Sequence, residues 1–187
     1  MTESGHLNFL HRVLAKAAGR DLVEPGQEIS VSVDLALGHD GSAEAFLSAW
    51  PSDGKVARPE KTVFAVDHLQ PAPTVSAREL HCKLHEFSRQ QHVHLFHRGE
   101  GVLHQVVAER FTPQPGLILA GADGHVATAG AFGALAFSIS PGELVSVLLS
   151  GTMTLKVPHI YTVEVTGPLS PAATARDLGL MLLGRFG

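Results

Sequence analysis

Apolar positions along the chain recur at two periods, and the switches between them mark out the elements. Over residues 7–18, LNFLHRVLAKAA, the residues Leu7, Leu10, Val13, Leu14 and Ala17 fall on one helical face, and Gly19 follows as a stop. Past the Pro25-Gly26 turn, Ile29, Val31, Val33 and Leu35 alternate as in a half-buried strand that ends at His39-Asp40. AEAFLSAW, stopped by Pro51, predicts a helix. Val63, Phe64, Ala65 and Val66 form an unbroken apolar run, the pattern of a strand buried on both faces, and it ends at Asp67-His68.

The helical period returns in SARELHCKLHEFSRQQ, with Ser76 as N-cap, Glu79 three residues on, and Leu80, Leu84 and Phe87 on the inner face. HVHLFHRGEGVLHQVV predicts a short strand and a glycine-bounded turn before His104-Gln105. GLILAGADGH is a further apolar strand, running out at Asp123 and His125. The glycines that follow admit two readings: turn and close-packing positions, or a backbone open to an anion at the start of a helix through AFGALAF. Neither a dinucleotide fingerprint nor a phosphate loop is present. TVEVTGPLSPAATARDLGLMLLGRFG predicts strand, loop and helix. Alternation of helix and strand without an internal repeat or linker points to an α/β fold with a mostly parallel sheet in one domain over residues 1–187.

Composition narrows the function classes. With 44% hydrophobic and 17% charged residues the chain folds rather than remaining disordered. A formal net charge of -4 without a basic run argues against nucleic acid, and no apolar run is long enough for a membrane helix. The single cysteine, Cys82, forms no internal disulfide, and the amphipathic start lacks a signal-peptide core, so the expected compartment is cytoplasmic. Histidine is the outlier, at 12 of 187 residues.

Three successive strand ends carry His39-Asp40, Asp67-His68 and Asp123 with His125, and His104 follows a fourth short element. In an open parallel sheet the carboxyl ends of the strands face one crevice, so these residues converge there. An imidazole beside a carboxylate suits acid-base work or metal ligation, although one such pair at a strand end also serves as a cap or turn. His39, His68, His104 and His125 are therefore also candidate ligands for a divalent ion. His81 and His85, four apart on a helix, are expected on a solvated flank, as are His92, His94 and His97 on exposed surface. His6, His11 and His159 point to nothing, and Trp50 is expected as a core or interface anchor.

VDLALGHDGSAEAF, VFAVDHLQPAPT, GEGVLHQVV, LILAGADGHVATAGAFGALAF, LKVP and ARDLGLMLLGRFG resemble, in order and spacing, the N-terminal domain of the aconitase superfamily, above all the large subunit of 3-isopropylmalate dehydratase and homoaconitase. The resemblance implies a three-layer α/β/α unit forming part of a cleft wall, and hydro-lyase or isomerase chemistry on a small hydroxy-carboxylate. It implies an acid-base network of Asp67, His68, His104, Asp123 and His125, with substrate contacts at His39, Asp40, Gln105 and Gly124. The family motif Asp-Ser-His-Thr stands here as Asp123-Gly124-His125-Val126.

In relatives a [4Fe-4S] cluster is held by cysteines outside this stretch, and one thiolate does not hold a cluster. The expectation is therefore a cluster supplied by a partner chain, the cluster-binding and swivel domains being absent here, or else a divalent ion or no cofactor. A second subunit or a homo-oligomer is the expected partner, because a cleft wall exposes surface that needs covering. The alternative is an inactive binding or assembly protein that keeps the fold.

Overall fold

The computed structural model describes residues 8–186. In chain order the elements are α1 (Phe9–Ala17), β1 (Glu28–Ser32), β2 (Leu35–His39), α2 (Asp40–Ala49), β3 (Thr62–Ala65), α3 (Val75–Gln91), β4 (His94–Phe96), α4 (Leu103–Arg110), β5 (Ile118–Gly121), β6 (Leu135–Ser138), α5 (Pro141–Ser150), β7 (Thr152–Lys156) and α6 (Ala175–Phe186), with 3-10 turns at Pro59–Lys61 and Val126–Phe132. Five strands form a parallel sheet in the order β4-β3-β2-β5-β6.

Alternation along the buried strands sorts their side chains to two faces. Ala36, Phe64, Ile118 and Ala120 join Ala43 and Phe46 of α2, Leu84 and Phe87 of α3, and Leu144 and Leu148 of α5 in one apolar core. Leu35, Leu37, Val63, Ala65 and Leu119 face the other way and pack with Leu103 and Val107 of α4 and Val126 and Ala129 of the 3-10 turn. The result is the expected layered α/β arrangement, a parallel sheet flanked by helices. Phe46 stacks on Phe64 with ring centroids 5.0 Å apart and meets Phe87 edge-on at 5.3 Å, contacts each contributing about 0.5–1.5 kcal/mol beyond area burial. Trp50 meets Phe87 edge-on at 5.1 Å and is a core anchor, as expected.

Several expectations need correction. The alternating run from Ile29 to Leu35 is two strands. β1 pairs antiparallel with β7 in a separate ribbon, while β2 is the centre of the parallel sheet. The chain crosses between them at Val33 and Asp34, where the Val33 amide donates to Gly151 O and Asp34 exchanges hydrogen bonds with the backbone of Ile118. AFGALAF is not a helix: Gly133, at φ 81, ends the 3-10 turn, and Leu135–Ser138 forms the edge strand β6 beside β5. The strand expected within TVEV is absent, since those residues are exposed and pair with nothing. α3 is capped by Thr74, not Ser76, and Leu80 is only half-buried. The first helix is expected from Leu7, but Leu7 and His6 lie outside the described residues.

Counting from β2, the strands of the sheet run 3-2-1-4-5, so the winding reverses between β2 and β5. At such a switch point the connections leave in opposite directions and open a crevice beyond the carboxyl ends. Leu37 pairs with Gly121, and His39 with Ala65. Two residues further on, the β5 register sets Asp123 beside His39, and β3 runs out into Asp67. The crevice thus collects the three strand ends.

Candidate active site

His39 ends β2 and is at the same time the N-cap of α2. Its Nδ1 accepts the Gly41 amide at 3.1 Å, where a serine or aspartate oxygen usually serves. That bond makes Nδ1 an acceptor, so a neutral ring carries its proton on Nε2. Burial pushes the His39 pKa below its ordinary 6.5, and His68 pushes the same way. The charges of Asp67, Asp123 and Asp40 pull against them, in that order. The His68 ring stacks on His39 with centroids 3.6 Å apart and 19° between planes.

Beyond β3, Asp67 is almost wholly enclosed and has two partners. One oxygen meets His68 Nδ1 at 2.6 Å, and the other accepts the Leu103 amide at 2.6 Å. Leu103 is the first residue of α4, whose N-cap Val102 has no capping side chain, so Asp67 satisfies a helix N-terminus from outside. That tie locates His104, the next residue.

Beyond β5, the Asp123 side chain is 1% exposed, its Oδ1 accepts the His125 amide at 3.0 Å, and Ser138 Oγ donates to its carbonyl at 3.1 Å. His104 Nδ1 lies 3.6 Å from Asp123 Oδ2, and His125 Nδ1 lies 3.5 Å from Oδ1. His104 Nδ1 and Asp123 Oδ2 are buried with no hydrogen-bond partner. A buried donor and acceptor facing each other just beyond bonding distance are costly unless something closes the gap, and catalytic hydrogen bonds often tighten only with substrate in place.

The titratable candidates thus fall into two clusters, His39-Asp40-Asp67-His68 and His104-Asp123-His125, within each of which the ligand atoms lie no more than 4.8 Å apart. The four candidate metal-ligating histidines divide between them, two to each. Asp40, expected as a substrate contact, is a buried side chain. It is 0% exposed and its oxygens accept the amides of Asp67, His68 and Leu69 at 3.2, 2.9 and 2.9 Å. Gln105 is turned to the outer side of α4, where its amide donates to Glu109 at 2.8 Å. Gly124 lies between Asp123 and His125, and a Cβ there would meet nothing within 4 Å.

His81, expected on a solvated flank, is 5% exposed, and its Nε2 meets Asp40 Oδ2 at 2.9 Å. The sequence held one signal for it, a place one residue beyond Leu80 on the buried side of α3. His85, His92, His94 and His97 are exposed, as expected. No described helix is long and apolar enough to cross a membrane.

The profile of the aconitase family (aconitate hydratase) matches residues 13–187, nearly the whole chain and both clusters. The chain belongs to the aconitase family. It is 37% identical, over 97% of its length, to the "Probable methanogen homoaconitase large subunit" of Methanothermobacter thermautotrophicus. It is 36% identical over 94% of its length to the "3-isopropylmalate dehydratase large subunit 2" of Methanopyrus kandleri, and 35% identical over 97% to the "3-isopropylmalate dehydratase large subunit" of Moorella thermoacetica. This aconitase-family chain spans 44% of the length of each of these relatives. Family membership fits the parallel sheet with its flanking helices and gives the crevice a chemical setting.

The thiolates of an iron-sulfur cluster are not among these 187 residues. Cys82, the one cysteine, is exposed on α3 outside both clusters. The residues present therefore do not fit a [4Fe-4S] cluster of their own.

Proposed function

We propose that this chain is a single aconitase-type N-terminal domain forming one wall of a hydro-lyase active site, which eliminates water from, or adds it to, a small hydroxy-carboxylate. The observation that carries this reading is the unsatisfied pair of His104 Nδ1 and Asp123 Oδ2, 3.6 Å apart at the switch-point crevice. Once they close on each other, the carboxylate fixes the tautomer and orientation of the ring. His104 Nε2 is then the atom left to exchange a proton.

Elimination breaks a carbon–hydroxyl bond and the C–H bond of the neighbouring carbon, whose electron pair becomes the double bond. The carbon's proton goes to a base that these residues leave to the polypeptide across the cleft, and the departing oxygen requires a proton of its own. A His104 imidazolium stabilised by Asp123 donates it, and water leaves. In hydration the neutral ring takes the same proton from the entering water. In this reading His125, exposed and beside the same carboxylate, and His68, ordered by Asp67, contact the substrate's carboxylate or hydroxyl oxygens.

No step is routed here through a cluster. If one takes part, its ligands come from polypeptide other than these residues. Two further facts support such a neighbour. The relatives are named large subunits, which implies companion subunits. From Pro158 to Phe186 no residue is buried, and Tyr161, Leu169, Leu180, Met181, Leu183 and Phe186 stand exposed, apolar surface that asks for a covering surface. An inactive assembly protein is not favoured, because the chain belongs to the aconitase family and its relatives are named homoaconitase and 3-isopropylmalate dehydratase subunits.

The test is to assay dehydration of hydroxy di- and tricarboxylates by the anaerobically prepared protein, alone and with polypeptide carrying the cluster cysteines, with iron and sulfide analysis. Turnover that appears with the second polypeptide and disappears in His104→Ala supports the proposal. Turnover indifferent to His104, or absent in every combination, sinks it.

A further inference from the structure

We infer that Asp40 and His81 form a buried positioning pair that sets the geometry of both histidine-carboxylate clusters. The Asp40 carboxylate is 0% exposed and accepts five hydrogen bonds: from the Gly41, Asp67 and His68 amides on Oδ1, and from the Leu69 amide and the His81 ring on Oδ2. Three of these donors are consecutive amides of the loop that carries Asp67 and His68. The fourth long-range donor, His81, comes from α3, so one carboxylate gathers the start of α2, the loop after β3 and the middle of α3.

The consequence follows the chain of contacts outward. Asp40 is bonded covalently to His39 and through its carboxylate to the backbone of His68, which sets the two rings in register for their 3.6 Å stack. The same grip holds Asp67, whose other oxygen accepts the Leu103 amide at 2.6 Å and so seats α4 with His104 against Asp123. A carboxylate with so many donors and no exposure is a fixed charge whose geometry is strongly determined. His81 holds Oδ2, the oxygen that otherwise has only the Leu69 amide. Neither residue reaches the crevice, so the pair acts through His39, His68 and His104 and is not itself catalytic. The catalytic consequence rests on the hydro-lyase reading, while the positioning does not.

The experiment compares wild type with His81→Leu, which keeps the volume and removes the donor, and His81→Gln, whose amide can still donate to Asp40. Circular dichroism establishes that each is folded. Amide hydrogen exchange of Asp67, His68 and Leu69, and the cross-ring nuclear Overhauser contact between His39 and His68, are then read by NMR. In His81→Leu, protection at the three amides falls roughly tenfold to a hundredfold, as expected when a buried acceptor loses a donor, and the cross-ring contact weakens. His81→Gln restores both. Asp40→Asn is the second variant and shows the same loss. Unchanged protection and ring contact in folded His81→Leu or folded Asp40→Asn overturns the inference. In the turnover assay, kcat falls in His81→Leu and recovers in His81→Gln, and absence of wild-type turnover sinks only the hydro-lyase reading.

Discussion

The rings of His39 and His68 lie face to face at 3.6 Å, and Gly41 is the residue that permits it. A Cβ at Gly41 would stand 2.9 Å from His39 Cε1 and Nδ1 and 3.2 Å from His68 Cβ. Contacts that short force the rings apart.

Gly41→Ala therefore separates site from fold. The substitution adds helix propensity in the first turn of α2, worth up to about 1 kcal/mol, so thermal stability holds or changes by a few degrees. On the proposed hydro-lyase reading, turnover falls at least tenfold, the order expected for a misplaced catalytic group. Equal losses of melting temperature and activity would show that the stack has no separate role.

Asp123→Asn removes the charge that orders His104 and His125 and keeps the acceptor for the His125 amide. Turnover drops by about 10² to 10⁴, the range for loss of an acid-base contribution, without global unfolding. Steady-state kinetics beside a denaturation curve checks both halves. Activity within a factor of two of wild type rules out Asp123 as the partner of the proton-transferring ring.

Stability falls as pH is lowered, in two windows. The His39 pKa is depressed in the folded protein by burial first and by His68 second, so below the ordinary 6.5 the unfolded chain takes up a proton that the native ring refuses, and stability declines from there toward the folded value. Burial alone would raise Asp40, but the amides of His68, Leu69 and Asp67 and the His81 ring outweigh it and leave the carboxyl below its ordinary 3.8. Its contribution is present above 3.8 and is lost as pH falls through the folded value. Urea denaturation across this range shows both declines, and His39→Gln removes the upper one.

Gly124→Ser reinstates the family's serine in open space, since nothing lies within 4 Å of the new Cβ. Stability changes by no more than about 0.5 kcal/mol, as at an unencumbered surface position. A donor between Asp123 and His125 raises kcat/KM toward hydroxy-carboxylates. Unchanged or lower kcat/KM would mean that a hydroxyl at this position has no part in the proposed reaction.

Gly38→Ala tests the sheet beneath the site. Its Cβ would run into the Phe64 ring and lie 3.2 Å from Leu144 Cδ2, inside the core that supports β2. Overpacking of this kind costs about 1–3 kcal/mol or more, read as a lower urea midpoint. A midpoint equal to wild type would show that Phe64 repacks freely.

What the sequence determined by itself was the class of fold and the list of strand-end residues. Buried parallel strands need apolar residues on both faces, which leaves unbroken runs such as Val63–Val66 visible without coordinates, and polar residues resume where the strand leaves the sheet. Asp67, His68, Asp123 and His125 are legible for that reason, and the resemblance in motifs named the family. Tertiary structure alone decided the partnerships. The alternation from Ile29 to Leu35 does not reveal that one half pairs with β7 and the other with β5, because both partners lie far along the chain. The same distance hid His81, whose bond to Asp40 spans 41 residues, and made an apparent cleft carboxylate into a buried anchor. Local periodicity reports how a residue meets its own element, whereas a buried charge is satisfied by whichever donors the folded layers bring to it.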